Sequence, residues 1–80
     1  MTNMHQKIRQ DISLGKQISR LRKLRHLTQE DVTKQMQLRG CDISRSIYSQ
    51  IECGTYNIRV SELIALADIL ECDMNTLFDA

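Results

Sequence analysis

An all-α fold of five short helices is predicted by three features of the sequence. The chain has no Pro, only three Gly and three aromatic residues, so it lacks the turn residues that a β-sandwich or barrel needs. Apolar residues recur at intervals of three and four, which is the period of an amphipathic helix. Its 80 residues, 41% of them hydrophobic, suffice for one small core. We therefore expect a single helical domain over 12–80, preceded by an N-terminal arm over 1–11.

The first helix is predicted to begin after Ser13, a residue type favoured at the N-cap, and to end near Arg25. Its apolar stripe consists of Leu14, Ile18 and Leu21, with Leu24 close behind. His26 and Leu27 interrupt this pattern, so the helix is expected to stop there.

The motif TQED predicts the start of a second, short helix. In a capping box, the Thr28 hydroxyl accepts from the backbone N–H of Asp31, whose carboxylate accepts in return from the backbone of Thr28. Val32 and Met36 then repeat at i and i+4 on the buried side. Gly40 supplies the left-handed residue that ends this helix.

The third helix, within SRSIYSQIECG, is predicted to have two faces of different character. Ser44 caps it and Gly54 ends it. The apolar face consists of Ile47, Tyr48 and Ile51. The opposite face consists of Arg45, Ser46, Ser49 and Gln50. A face that meets only water usually carries Glu and Lys, so a polar face with so little charge indicates another role.

A fourth helix over 60–70 is predicted to form the centre of the core. Its apolar stripe consists of Leu63, Leu66, Ala67 and Leu70, with Ile64 and Ile69 beside it. Asp73 then caps a last short helix that runs through Phe78.

Charge is distributed unevenly along the chain. Residues 1–40 contain nine Lys or Arg against three acids, whereas residues 41–80 contain two against seven. The net charge of +1 argues neither for nor against nucleic acid, but the basic half fits a polyanion. Chance segregation of charge on helix surfaces is an equal alternative.

No metal, cofactor or catalytic site is predicted. Cys41, Cys53 and Cys72 form no C-x-x-C pair, and His5 and His26 have no partner at ligand spacing. No nucleophile motif, phosphate-binding loop or His–acid pair indicates an enzyme. No apolar run approaches the roughly 20 residues of a membrane span, and the N-terminus has no signal-peptide core. We therefore expect a cytoplasmic protein with no membrane or small-molecule partner.

Four segments in a fixed order carry a resemblance to a known family. They are LGKQISRLR, LTQEDV, ISRSIYSQIECG and VSELIALADIL, and with the elements between them they span roughly residues 12–78. In order and spacing the chain resembles the phage repressor and Cro-like (Xre-type) helix-turn-helix DNA-binding domains. The resemblance implies a five-helix, lambda-repressor-like fold whose helices 2 and 3 form the helix-turn-helix, with helix 3 as the recognition helix.

The chemistry of DNA agrees with this implied role for helix 3. The base edges in the major groove of B-DNA can pair bidentately with an Arg at guanine or a Gln at adenine, which suits Arg45 and Gln50. Ser46 and Ser49 are short enough to allow close approach. No acid that phosphates would repel occurs on this face before Glu52. Base contacts are therefore expected from Arg45, Ser46, Ser49 and Gln50.

Phosphate contacts are expected beside helix 3. The start of helix 2 presents free N–H groups and the positive end of a dipole, and the resemblance implies that Gln29 contacts a phosphate there. The other expected phosphate contacts are Lys34, Ser44, Asn57 and Arg59. The remaining charges of helix 1 are equally well explained as solvated charge or as direct contacts; they are Lys16, Arg20, Lys23 and Arg25.

The resemblance also implies a partly buried ion pair between Arg22 and Glu52, which would lock helix 1 to the end of helix 3. Two independent surface charges are the alternative. The chain departs from the family pattern in the connection QLRGCDI, which adds about five residues, and in Thr33, which replaces a small Ala. His26 and Glu71 stand where Gly is usual at helix ends.

The resulting prediction is a sequence-specific transcriptional regulator, a repressor or Cro-like protein, that binds a palindromic operator as a homodimer. Met74 and Phe78 are the expected dimer contacts, with the 1–11 arm as the next candidate; both side chains instead closing the core of a monomer is the alternative. A helical protein-interaction module, or an antitoxin-type protein that binds a partner, is the competing function on the same fold.

Overall fold

The computed structural model describes residues 12–78, and the predicted N-terminal arm lies outside the described residues. The helices are α1 (Ile12–Leu24), α2 (Gln29–Leu38), α3 (Arg45–Cys53), α4 (Val60–Ile69) and α5 (Met74–Phe78). No strand occurs in the described range. The predicted all-α fold of five helices is therefore confirmed. None of these helices is long and apolar enough to cross a membrane.

Three of the predicted N-caps are present. The Asp31 N–H donates to Thr28 Oγ1 at 3.0 Å, and the Thr28 N–H donates to Asp31 Oδ2 at 2.9 Å, which completes the capping box of α2. The Ser44 hydroxyl accepts from the N–H of Ile47 at 3.1 Å, and Asp73 Oδ1 accepts from the N–H of Thr76 at 2.9 Å. These caps satisfy N–H groups that would otherwise lack an acceptor at the helix starts.

The prediction that Ser13 caps the first helix is wrong. The backbone is already helical at Ile12, so Ser13 lies inside α1 and cannot serve as the half-helical residue that precedes it. The predicted ends of the first and fourth helices differ from the observed ones by a single residue, since α1 ends at Leu24 and α4 at Ile69.

Left-handed backbone follows the ends of four helices. Gly40 and Gly54 have φ of 85° and 81°, and His26 and Glu71 adopt the same region with φ of 60° and 57°. A residue with a Cβ pays roughly 1–2 kcal/mol for this conformation. Backbone hydrogen bonds close the turns at His26 and Glu71. The Leu27 N–H donates to the Arg22 carbonyl at 3.1 Å, and the Cys72 N–H donates to the Ala67 carbonyl at 2.9 Å.

The core receives side chains from all five helices. Its fully buried members include Ile18 of α1, Val32 and Met36 of α2, Tyr48 and Ile51 of α3, Leu63, Leu66 and Leu70 at α4, and Leu77 of α5. Two predicted core positions are exposed instead, namely Leu24 at 64% and Ile64 at 58%. Ile64 shares the solvent side of α4 with Val60 and Asp68, and Leu24 lies at the last turn of α1, on the rim of a surface groove.

The longer connection between α2 and α3 is folded onto the core. It covers residues 39–44, and within it Ile43 is only 2% exposed. The Gln37 side chain donates to the Ile43 carbonyl at 2.9 Å, and the Cys41 N–H donates to the carbonyl of Met36 at 2.9 Å. The hydroxyl of buried Thr33, another departure from the family pattern, donates to the Gln29 carbonyl at 2.9 Å.

Helices α1 and α3 cross with their backbones in close contact at Gly15. A Cβ at this position would lie 2.5 Å from the carbonyl oxygen of Glu52 and 2.7 Å from that of Ile51. Because both atoms belong to the backbone of α3, they cannot rotate away. The absence of a side chain at Gly15 is therefore what allows α1 to pack directly on the end of α3.

Candidate nucleic-acid interface

Helix α3 divides into the two faces that its sequence predicts. Tyr48 and Ile51 are fully buried, and Ile47 is half-buried against the core. The outer face is formed by Arg45, Ser46 and Gln50, which are exposed, and by Ser49, which is half-buried. This outer face carries no acid, so an approaching anion meets short polar side chains and one guanidinium.

The structure brings Arg22 and Glu52 together at the C-terminal end of α3. Arg22 Nε lies 2.7 Å from Glu52 Oε2 and Nη2 lies 3.2 Å from Oε1, so the guanidinium and the carboxylate pair through two bonds. The side chains are 11% and 9% exposed. Arg22 also donates from Nη1 to the Leu27 carbonyl at 2.9 Å, which ties the turn after α1 to the same pair.

Two further donors complete the surroundings of Glu52. The Tyr48 hydroxyl donates to Oε2, and Gln29 Nε2 donates to Oε1 at 2.9 Å. Burial opposes ionisation of Glu52, but the hydrogen bonds from Arg22, Tyr48 and Gln29 outweigh it, so the pKa of this carboxyl lies below its ordinary value. The bond to Glu52 raises the pKa of Arg22, and burial together with the same carboxylate raises that of Tyr48. We call these four residues the Glu52 cluster.

Gln29 connects the Glu52 cluster to the outer face of α3. Its amide N–H donates to Glu52, while its carbonyl oxygen accepts from Arg45 Nε at 3.1 Å. In this structure, therefore, the expected phosphate contact Gln29 already has both polar atoms engaged, with one amide N–H left over. The same bond holds the guanidinium of Arg45 over the start of α2.

Three of the other expected phosphate contacts lie on either side of α3 in the sequence. Ser44 is exposed at the start of α3, and Asn57 and Arg59 are exposed in the connection to α4. This connection is anchored by Glu62, which is 5% exposed and accepts from the Arg59 N–H at 2.9 Å and from the Tyr56 hydroxyl at 3.1 Å.

Lys34 is not brought to this surface. It borders a concavity between α2 and the end of α4, which Asp31 and the ion pairs Arg39–Asp68 and Arg25–Glu71 also line. Lys34 is five residues from Gln29, so on a helix with 100° per residue the two side chains point in different directions. The sequence could not show which elements would surround Lys34.

A surface groove beside α3 was not foreseen from the sequence. It has a volume of about 740 Å³, and Ser49, Glu52 and Cys53 form its α3 side. Its other side is the basic face of α1, formed by Lys16, Arg20 and Lys23, with Leu24 at one end. We call it the α1–α3 groove. In the sequence, the spacing i, i+4, i+7 of the three cations indicates a basic face on α1. It could not show that α3 would lie opposite this face.

Within residues 12–78, no group of three His, Cys, Asp or Glu side chains is placed to hold a metal ion. The cysteines are free thiols, with Cys53 exposed and Cys41 and Cys72 half-buried.

Comparison with known proteins gives one positive result. A protein-family model described as helix-turn-helix matches residues 18–77, which includes all of α2, α3 and α4. No curated protein and no solved structure matches the chain.

Proposed function

Because this chain belongs to the repressor- and Cro-like helix-turn-helix family of DNA-binding regulators, we propose that it is a sequence-specific transcriptional repressor that binds its operator through α3. The observation that carries the proposal is the outer face of α3, which is largely exposed, free of acids and held by the Glu52 cluster. Direct contact with base edges requires a rigidly held recognition helix, because a small displacement would break bidentate hydrogen bonds.

We propose that Arg45 and Gln50 contact bases and that Ser46 and Ser49 allow the close approach. Arg45 supplies the paired donors that guanine O6 and N7 accept, and the amide of Gln50 matches adenine N6 and N7. The bond from Arg45 to Gln29 supports this role, because a guanidinium held in place loses less conformational freedom when it binds.

Phosphate contacts are proposed at both ends of α3. Ser44 lies at the start of α3, Gln29 lies at the start of α2 beside Glu52, and Asn57 and Arg59 follow α3. We propose no phosphate contact for Lys34, because it borders a different concavity and lies on a different side of α2 from Gln29.

Binding to DNA is expected to weaken steeply as salt concentration rises. A mobility-shift titration would use duplexes selected from a randomised library, with salt as a second variable. From the contacts around α3 alone we expect a slope of log affinity against log salt of about −3 to −6 for a dimer, and each further cation that neutralises a phosphate would make it steeper by about 0.9. Arg45→Ala should cost about 1–3 kcal/mol at one base position, whereas Arg59→Ala should weaken binding to all sequences and flatten the slope.

Two outcomes would contradict this assignment. If the two variants behave alike, the division between base and phosphate contacts is wrong. If the wild-type protein shows no salt-dependent binding to any duplex, the DNA-binding proposal fails and a protein-interaction module becomes the better function.

We propose that the operator is palindromic and that the protein binds it as a homodimer. One recognition helix contacts only about 4–6 base pairs, so related proteins place two such helices about 34 Å apart on the DNA. The proposed contact includes Phe78, whose side chain is 49% exposed, and Met74, which is half-buried against the core. Phe78→Asp is expected to convert a dimer into a folded monomer with weaker operator binding, as measured by sedimentation and mobility shift.

A matched variant tests an exposed apolar surface on α4 as an alternative interface. Val60 and Ile64 are 64% and 58% exposed on α4 and offer a second site for self-association. If Ile64→Asp abolishes the dimer and Phe78→Asp does not, the interface lies on α4 and our assignment is wrong.

A further inference from the structure

The α1–α3 groove lies directly beside the face of α3 that we propose for base contacts. Ser49 belongs to that face and also lines the groove. Cys53, one turn further along α3, lines the groove as well. If α3 inserts into a cleft of a binding partner, one side of that cleft therefore lies next to the α1–α3 groove.

The α1 side of the groove is a row of cations. Lys16, Arg20 and Lys23 are exposed at i, i+4 and i+7, so they occupy one face over about two turns, or roughly 10 Å. Neither lysine has an ion-pair partner in the part of the chain that the structure describes. Arg20 donates from Nε and Nη2 to the side chain of Gln17, which leaves its other N–H groups available.

The charge of the groove is not cancelled from the α3 side. Among the described residues that line the groove, Glu52 is the one acid, and it is already paired with Arg22 and bonded to Tyr48 and Gln29. The groove is thus positive along its length, and its extended row of cations suits a series of anionic groups better than a single compact anion. The exposed side chain of Leu24 adds an apolar surface at one end.

Resting on the DNA-binding function proposed above, we propose that one phosphate strand of the DNA bordering the major groove runs along the α1–α3 groove. Lys16, Arg20 and Lys23 neutralise successive phosphates of that strand, and Leu24 contacts the apolar side of a deoxyribose. A DNA strand presents both features in alternation, with charge on the phosphates and apolar carbon on the sugars. The interface therefore extends from α3 across the basic face of α1.

Matched lysine variants test this extension. The probe is a duplex of about 30 base pairs, selected from a randomised library and long enough for two half-sites one helical turn apart. Lys23→Gln should reduce the magnitude of the salt slope by about 0.9 per protomer, and Lys16→Gln with Lys23→Gln by about 1.8. Lys34→Gln removes the same charge on another face and should leave the slope unchanged, and base preference should stay as in the wild type.

The outcomes separate this inference from the function on which it rests. If the wild type binds DNA with a steep salt slope and Lys23→Gln leaves that slope unchanged, the groove contact is overturned and DNA binding stands. Equal losses for Lys23→Gln and Lys34→Gln also overturn it, because they would reflect overall charge. If the wild type shows no salt-dependent binding, both proposals fall.

Cys53 provides a second measurement inside the groove. Its exposed thiol should be alkylated by iodoacetamide more slowly when the duplex is saturating, while the rate for half-buried Cys72, after α4, serves as the internal reference. Unchanged alkylation of Cys53 in the DNA complex would overturn the proposal. Protection by inorganic phosphate alone at the same ionic strength would also overturn it, since it would indicate a pocket for a small anion.

Discussion

Glu52→Ala is expected to lower the free energy of unfolding by about 3–5 kcal/mol. The substitution leaves Arg22, whose side chain is 11% exposed, without its carboxylate, and it removes the acceptor for Tyr48 and Gln29. The loss arises mainly from an unpaired buried charge, because desolvation offsets much of the attraction in the intact pair. DNA affinity should fall as well, since α3 loses its attachment to α1. Urea denaturation of the wild type and the variant measures the first effect.

The exposed pair between Arg39 and Asp68 is the matched control. Its Nη2 and Oδ2 atoms are 2.8 Å apart, but the side chains are 34% and 69% exposed. Asp68→Ala should therefore cost no more than about 1 kcal/mol, because water screens and replaces the interaction. A loss of similar size in both variants would contradict the prediction that burial determines the effect.

The Glu52 cluster makes the free energy of unfolding depend on pH. The pKa of Glu52 in the folded protein lies below its ordinary value of 4.5, so folding favours the ionised form. Its contribution is complete above that value and is lost as pH falls through the folded-state pKa. Glu52→Gln removes this part of the acid dependence. Part should remain, because hydrogen bonds from backbone N–H groups also lower the pKa of Asp31 and of Asp73.

Denaturation at several pH values between about 7 and 3 compares the two proteins. The difference in free energy of unfolding between wild type and Glu52→Gln should shrink as the solution becomes more acidic. If the plots of unfolding free energy against pH stay parallel for the two proteins over this range, the partners of Glu52 do not lower its pKa in the folded state.

Gly15→Ala is expected to destabilise the protein by at least about 2 kcal/mol, the size of a strong overpacking effect. In an exposed helix this substitution would stabilise by about 1 kcal/mol, because Ala is the better helix former. Here the added Cβ would lie 2.5 Å from the Glu52 carbonyl oxygen, so α1 has to move away from α3. That movement would also disturb the Arg22–Glu52 pair, and DNA affinity should decrease.

Gly40→Ala is a useful comparison for Gly15→Ala. A Cβ at Gly40 meets no atom within 4 Å, so this variant experiences only the cost of left-handed backbone, roughly 1–2 kcal/mol. Thermal and urea unfolding of both variants separate a steric clash from backbone strain. If Gly15→Ala is as stable as the wild type, the two helices are not in the close contact described above.

The sequence by itself determined the features whose causes are local. The capping box of Thr28 and the caps at Ser44 and Asp73 each join groups only three residues apart, so the motif alone predicts them. The division of α3 into a buried and an exposed face also follows from the helical period within a single segment. Such local signals, in a recognisable order, were sufficient for the helices, the fold and the family.

The tertiary structure decided which surfaces meet. Arg22 and Glu52 are 30 residues apart, and only the family resemblance suggested their pairing, while nothing in the sequence suggested that Gln29 would bond to Arg45. The exposure of Leu24 and Ile64, the close crossing at Gly15 and the groove beside α3 were equally inaccessible. The physical reason is that helical periodicity defines a face but not the element that covers it, which depends on how the helices pack.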